Sequence, residues 1–297
     1  MKKLLVMSVI MALAVAAQAQ KISPKMQKGM EKVYTTTATT NAPSQKSVKM
    51  TYDTKYTVTD ATADGYVVDV VITNFSSDAA ANDIAGQMVN ATVETMKDVK
   101  VSVQTDKDGQ AQKIKNYAEV KQQVDTAIDV LVDKLFSLAP QLAQMMKKEG
   151  MKQQIQENFS EETLMKGLKE SVNVMMLNGR TPMTGAQEEY VSERNMKMKR
   201  MYFVSDKNIV TNASADMSKD ELKAMIIAEV EKSMPEQADM VKQNIDQLIS
   251  SGMLKMDMKE TATFMLEDDN WVQSIHGEMT LDAMGQQTTV KTETVCK

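Results

Sequence analysis

Two stretches of this chain alternate apolar and polar residues with a period of two, and they stand near its opposite ends. In the first, Val48, Met50, Tyr52, Tyr56 and Val58 fall on one side, with Lys49, Thr51, Asp53 and Lys55 on the other. In the second, Leu254, Met256, Met258, Ala262, Phe264 and Leu266 share a face against Lys255, Asp257, Lys259, Thr261 and Thr263. Alternation of this kind sends each set to its own face of a pleated strand, so both stretches must cover an apolar face with something else.

The segments around them supply partners. A turn at Asp60–Gly65 leads into Tyr66–Ile72, apolar on both sides, which reads as a central strand. Val99, Val101 and Val103 alternate before Asp106-Lys107-Asp108-Gly109, whose turn chemistry returns the chain through Gln110–Lys115. Asn195–Val204, with Met196, Met198, Arg200 and Tyr202 on one side, pairs with Ile209–Ala215. Glu267-Asp268-Asp269-Asn270 turns the chain into Trp271–Leu281, and Gln287–Val295 makes a last strand after Gly285. Val33–Thr40 is a threonine run of β-branched residues that suits a strand, and Lys21–Lys28 reads as a loose polar lead-in.

Between the strands the period changes to that of a helix. Tyr117, Val120, Val124, Ile128, Leu131 and Leu135 step by three or four, a stripe wide enough to need cover on more than one side. That predicts a central helix, redirected at Pro140. Further helices are expected from Ser77 or Asp78 to about Met96, over Gln141–Glu149 and over Glu161–Leu177. Capping boxes at Ser218/Glu221 and Ser233/Glu236, with Pro235 in a first turn and Gly252 at an end, mark two more. Hairpins joined by short turns make antiparallel sheet, and amphipathic helices between them must pack on it. The predicted class is α+β: a large curved antiparallel sheet built from hairpins and packed against amphipathic helices.

The N-terminus carries its own signal. Lys2 and Lys3 precede an apolar run from Leu4 to Ala17, and Ala17-Gln18-Ala19 ends in small residues, as a secretory leader does. Fourteen helical residues cover about 21 Å, short of the ~30 Å bilayer core. The expectation is a signal peptide over 1–19 and a single exported domain over 20–297, with any division near 179–185, where Gly179, Pro182 and Gly185 sit. No Cys follows the run, so no lipid anchor is expected, and no later stretch is apolar for long enough to span a membrane. The reading is periplasmic or secreted. Cys296 stands alone, so no disulfide within the chain can form, and it reads as an unpaired thiol in a frayed tail.

Composition narrows function more than it names it. Loss of Lys2 and Lys3 with the leader takes the formal charge from −5 to −7, which disfavours nucleic acid as a partner. Only one Trp, five Phe and seven Tyr are present, too few for a stacking platform. His276 is the sole histidine, and neither a Cys–His catalytic pair nor a zinc set is in prospect. The acidic run Glu267–Asn270 lacks the spaced ligands of a calcium loop. No cofactor and no metal site is predicted, and no catalytic residue is chosen.

Methionine is the departure: 28 residues, among them the strand pairs Met196/Met198 and Met256/Met258 and the adjacent pairs Met145-Met146 and Met175-Met176. Methionine adapts to irregular apolar surfaces, so the leading expectation is a non-enzymatic protein holding a lipid or other apolar molecule, or an envelope partner, in a sheet–helix cleft. Leu254, Met256, Met258 and Phe264 are the candidate lining. Two alternatives stand beside it. One is a carboxylate-dependent hydrolase of unknown substrate, for which 40 acidic residues give no way to choose a pair. The other is handling of Cu(I), which soft thioethers select.

One resemblance belongs here. Lys28-Gly29 with Tyr34, Asp106-Lys107-Asp108-Gly109 leading to Ile114-Lys115-Asn116, and the Trp271 hairpin together resemble uncharacterised exported proteins of Bacteroidetes-type bacteria, over most of the mature chain. More loosely, the architecture is similar to that of the periplasmic lipoprotein carriers, whose curved sheet wraps helices around a lipid-binding cavity. That likeness implies a fold and an expectation of apolar cargo, and no carrier motif is matched by particular residues.

Overall fold

The structure is a computed structural model and describes residues 20–43, 46–79, 97–138, 147–192, 196–215, 218–233, 238–250, 256–283 and 286–297. The leader, most of the helix expected to follow Ser77, the Pro140 break with Met145-Met146, Glu236 and Pro235, Gly252, Leu254 and Gly285 lie outside them.

The class is α+β, and the sheet is a single antiparallel one of eleven strands in the order β5-β4-β3-β2-β1-β11-β10-β9-β8-β7-β6. β1 is Glu31–Asn41, β2 Val48–Thr62, β3 Gly65–Ser77, β4 Lys100–Thr105 and β5 Ala111–Ile114. β6 is Gln187–Val191, β7 Lys197–Ser205, β8 Asn208–Ala215, β9 Met256–Leu266, β10 Val272–Ala283 and β11 Gln286–Cys296. Each half of the chain is a meander, and the first and last strands join the halves: Tyr34 pairs with Cys296 and Thr40 with Val290. The threonine run is thus a central strand. The short β6 escaped the sequence reading, because Gln187-Glu188-Glu189-Tyr190-Val191 shows no apolar alternation.

Helix α1 (Tyr117–Leu138) packs on α2 (Lys148–Glu157) and on β4, one strand in from the edge of the sheet. Its buried stripe, from Val120 to Phe136, forms a cluster with Val99, Met151 and Ile155 that is separate from the main core. The wide stripe does have two covers, but they place α1 beside the sheet's edge and not at its centre. Helix α3 (Glu161–Glu170) touches both edge strands, β5 and β6. Eleven strands laid flat would hold their edges about 48 Å apart, and a ten-residue helix is about 15 Å long. Both edges can meet that helix only if the sheet curls.

Two further differences from expectation have local causes. The helix expected over Glu161–Leu177 stops at Glu170, because Asn173 takes over its C-terminal carbonyls. The Asn173 amide donates to the carbonyls of Gly167 (2.9 Å), Leu168 (3.2 Å) and Ser171 (2.7 Å), while its Oδ1 accepts from the Met175 amide at 2.7 Å. Residues 172–177 then run as turns inside the curl, with Val174–Leu177 buried. The polar lead-in is not loose either. Ile22, Pro24 and Met26 are buried, and the strand-like strap is stitched by Ile22 N–H to the Arg180 carbonyl, Gly179 N–H to the Ile22 carbonyl and Lys25 N–H to the Asp269 carbonyl. Its alternation, Ile22-Pro24-Met26 against lysines and Gln27, is the same period-two signal in a stretch three apolar residues long.

Helices α4 (Lys219–Ser233) and α5 (Ala238–Ser250) pack on each other. The first capping box is formed as expected: Ser218 Oγ accepts from the Glu221 amide at 3.2 Å, and the Glu221 carboxylate accepts from the Ser218 amide at 2.9 Å.

Candidate functional site on the inner face

The register of the ladders turns the sheet's inner face into transverse rows. One row runs Val204, Ile209, Phe264, Ile275, Thr294 and Thr36. Around it lies the main core, with Tyr34, Tyr56, Trp271 and the Val174–Leu177 segment. The aromatic rings there meet edge to face, Tyr34 with Tyr56 at 5.6 Å and Tyr56 with Trp271 at 6.4 Å. This end of the curl is packed solid. Phe264 is fully buried in it, and Cys296 belongs to its margin: the thiol lies in β11 opposite Tyr34, half-buried, and burial pushes its pKa up. The penultimate residue is therefore held in a strand and not in a frayed tail.

Two rows further along β7 and β9 the face becomes charged, with Glu188, Arg200, Ala213 and Glu260 in line. Arg200 is wholly buried. Its guanidinium lies 4.0 Å from the centre of the Tyr190 ring, donates to the Glu170 carbonyl and stands 3.5 Å from the Glu170 carboxylate and 3.7 Å from that of Glu188. Arg180 reaches the same two carboxylates, donating to Glu170 at 2.8 Å and to Glu188, while its Nη2 also donates to the Lys169 carbonyl at 2.8 Å and its Nε to that of Met176 at 2.8 Å. The Tyr202 hydroxyl donates to Glu188. Two arginines therefore close the C-terminal end of α3, where the helix dipole favours cations, and tie it to β6 and β7. Burial raises the Tyr202 and Tyr190 pKa values above the ordinary phenol range. Arg200 Nε finds no acceptor among the described residues.

The next row carries Tyr190, Met198, Ala215, Met258 and Leu281. Here Met196, Met198, Ala213 and Met258 are buried together, and Tyr190, Ala215, Met225 of α4, Met256, Met279 and Leu281 pack against them half-buried. Methionine pairs that are far apart in sequence are thus one cluster. Of the residues singled out from sequence, Met256 and Met258 meet here, Phe264 sits six residues along β9 in the aromatic core, and Leu254 lies outside the described residues.

Sequence reasoning passed over the charged row. The apolar alternation of β9 runs from Met258 to Ala262 across Glu260, and Arg200 shares a strand face with Met196, Met198 and Tyr202, with no partner legible beside it in the sequence. A charge in register with buried apolar neighbours was the available signal. It demands a counter-charge, and Glu170 and Glu188 meet that demand from segments whose own patterns gave no hint. Glu170 and Glu188 converge on the same two arginines.

The outer face is polar over the middle of the sheet and also exposes Phe203, Met265 and Val295. A groove of about 720 Å³ crosses β1, β11, β10 and β9, lined by Thr37, Thr39, Thr261, His276, Glu278 and Lys291 among others. His276 is exposed there, on the face opposite Cys296, so the two cannot act as a pair. The acidic turn is occupied by lysines: Lys32 pairs with Glu267 and, at 3.7 Å, with Asp269, and Lys207 pairs with Asp268. No helix among the described residues is long and apolar enough to cross a membrane.

No protein-family model matches the chain, and no curated protein matches it. Among solved structures, the chain is similar to a lipovitellin described for its lipid–protein interactions, at a TM-score of 0.40 and 10% identity, over 92% of this chain and 25% of that one. The chain thus spans about a quarter of lipovitellin's length. A second is the S-type phycobiliprotein lyase CPES from Guillardia theta, at a TM-score of 0.22 and 7% identity, over 89% of this chain and 86% of that one.

Proposed function

We propose that the chain is exported under the leader at residues 1–19 and acts outside the cytoplasm, without catalysis, as a holder of a lipid or another apolar molecule. The cargo rests on the methionine-lined end of the sheet's inner face, between β7–β10 and helix α4. The observation that carries this reading is the contrast between the two ends of the curl. At one end the Val174–Leu177 segment and three aromatic rings leave Tyr34, Phe264 and Ile275 fully covered. At the other, Met225, Met256, Met279 and Leu281 keep part of their apolar surface unburied along a continuous face. Half-buried apolar side chains leave surface for a cargo to cover, and thioether side chains repack around different shapes at little cost.

Purification from the envelope or the culture fluid, followed by native mass spectrometry and solvent extraction, tests both parts. The expected result is a mature chain beginning at Gln20 that carries a non-covalent apolar mass. Met279→Glu with Leu281→Glu, at half-buried positions, should cut the bound cargo at least tenfold while the thermal midpoint changes little. A chain that emerges with nothing bound, and that takes up no lipid from vesicles, would end the cargo reading. A full-length chain retained in the cytoplasm would end the export reading.

A further inference from the structure

The methionine cluster has a geometry that apolar packing alone does not require. Met198 and Met258 lie on strands β7 and β9, and the strand between them offers only Ala215 in the same row: Met198 pairs with Ala215, and Ser214 pairs with Lys259, which sets Met258 beside Ala215. Strands two places apart are about 10 Å from each other, and a methionine's unbranched side chain spans about half of that. With no side chain beyond a methyl on β8, the two thioethers can lean over the alanine and meet. Met225 reaches the same cluster from α4, and Met256 and Met279 flank it from the strands. Glu260, one step along β9 on the same face, adds a negative charge beside the group.

From this arrangement we infer that Met198, Met258 and Met225 form a thioether site for a soft monovalent cation, Cu(I) or its redox-inert analogue Ag(I). Three uncharged sulfurs on flexible arms, two of them buried and one half-buried, suit Cu(I), which prefers soft ligands, and disfavour Zn(II), which draws on thiolate, imidazole and carboxylate. The site stands beside the proposed cargo surface, shares its wall and does not depend on cargo being bound. The chain's one thiol and one imidazole lie away from it: Cys296 is in the aromatic core's margin, and His276 is on the outer face.

The test is an anaerobic titration of Cu(I) into the purified mature chain carrying Cys296→Ser, in competition with a chromogenic Cu(I) chelator. Ag(I) additions followed by methyl spectra of methionine-labelled protein accompany it. The expected result is one equivalent bound, with the methyl signals of Met198, Met225 and Met258 displaced and those of Met175 and Met176 unmoved. Met198→Leu with Met258→Leu, which conserves apolar volume, should weaken the metal at least tenfold. Met225→Leu, a half-buried helix position, should weaken it several-fold in a chain whose folding is not in question. Leucine variants that bind as the parent does, or binding that vanishes on changing Cys296 alone, would overturn the site while leaving the cargo reading standing. Loss of lipid with metal retained would do the reverse.

Discussion

Arg200 sits where a β-strand would ordinarily place a methionine or a valine, and its surroundings show what that substitution by nature requires. A buried guanidinium is tolerable only when hydrogen bonds and opposite charge surround it. Glu170, Glu188 and the Glu170 carbonyl supply them, and Tyr190 lays its ring on the flat face. Arg200→Met would leave the Glu170 carbonyl and the ring without their partner and is expected to cost about 3 kcal/mol in urea unfolding. Arg200→Lys, which restores charge without the planar fork, should recover less than half of it. Equal stability in all three chains would show the network to be incidental. Asp53 is the second telling residue. Hydrogen bonds from Lys297 (2.7 Å), Asn74 (2.8 Å) and Thr35 (2.7 Å) hold its pKa down to about 2 against an ordinary 3.8. A carboxyl depressed by folding stabilises the fold at pH above its unfolded value and loses that contribution as pH falls through the folded one. Stability should therefore decline between about pH 4 and pH 2. Asp53→Asn should flatten that limb in an acid series of urea melts, and an unchanged slope would show that Lys297 does not hold it.

At the scale of elements, what could be read from the chain was what is periodic over many residues. The alternations at Val48–Val58 and, within the described residues, Met256–Leu266 and the stripe of α1 are long, and each became the element it predicted. The strap at Ile22–Met26 offers only three inward residues, and β6 offers a glutamate where alternation wants an apolar group. The strap depends on Gly179, Arg180 and Asp269, more than 100 residues away, and β6 on its ladder with β7 and the arginine pairs of Glu188, none of which an apolar pattern reports. The same holds for the site. That Met196/Met198 and Met256/Met258 each share a face was legible, but that the faces converge follows from the strand order, which puts β8 alone between them. The strap makes a prediction of its own. Ile22 is buried against the core that holds Trp271, and its backbone bonds Gly179 and Arg180 in both directions. Ile22→Ala should cost about 2–4 kcal/mol, as for any truncated core aliphatic. A loose lead-in would lose nothing measurable.

For the molecule as a whole, the decisive pairing is that of β1 with β11. Each meander is built from neighbours in sequence, and neither half can hand its apolar face to the other until residues near position 34 meet residues near position 296. Closing so long a loop is entropically unfavourable and must be offset by everything that follows it. The hydrogen bonds of β11 go to β1 on one side and β10 on the other, so removing Gln286–Cys296 opens a one-strand gap with two unpaired edges. A chain ending at Ala283 should lose the protection of Trp271, which lies buried at the base of β10 with its indole N–H on the Lys25 carbonyl at 3.0 Å. Its fluorescence should shift to the red, and the chain should associate. A synthetic peptide of residues 286–297 should enter the gap by strand addition and restore the emission, because the missing hydrogen bonds and the Thr36–Thr294 contact at 2.9 Å can form from a separate chain. A peptide with Thr294 changed to Lys, which would drive a charge into the buried inner face, should fail to do so. If the truncated chain kept its native emission and melting midpoint, the two meanders would be shown to fold without the strand that joins them.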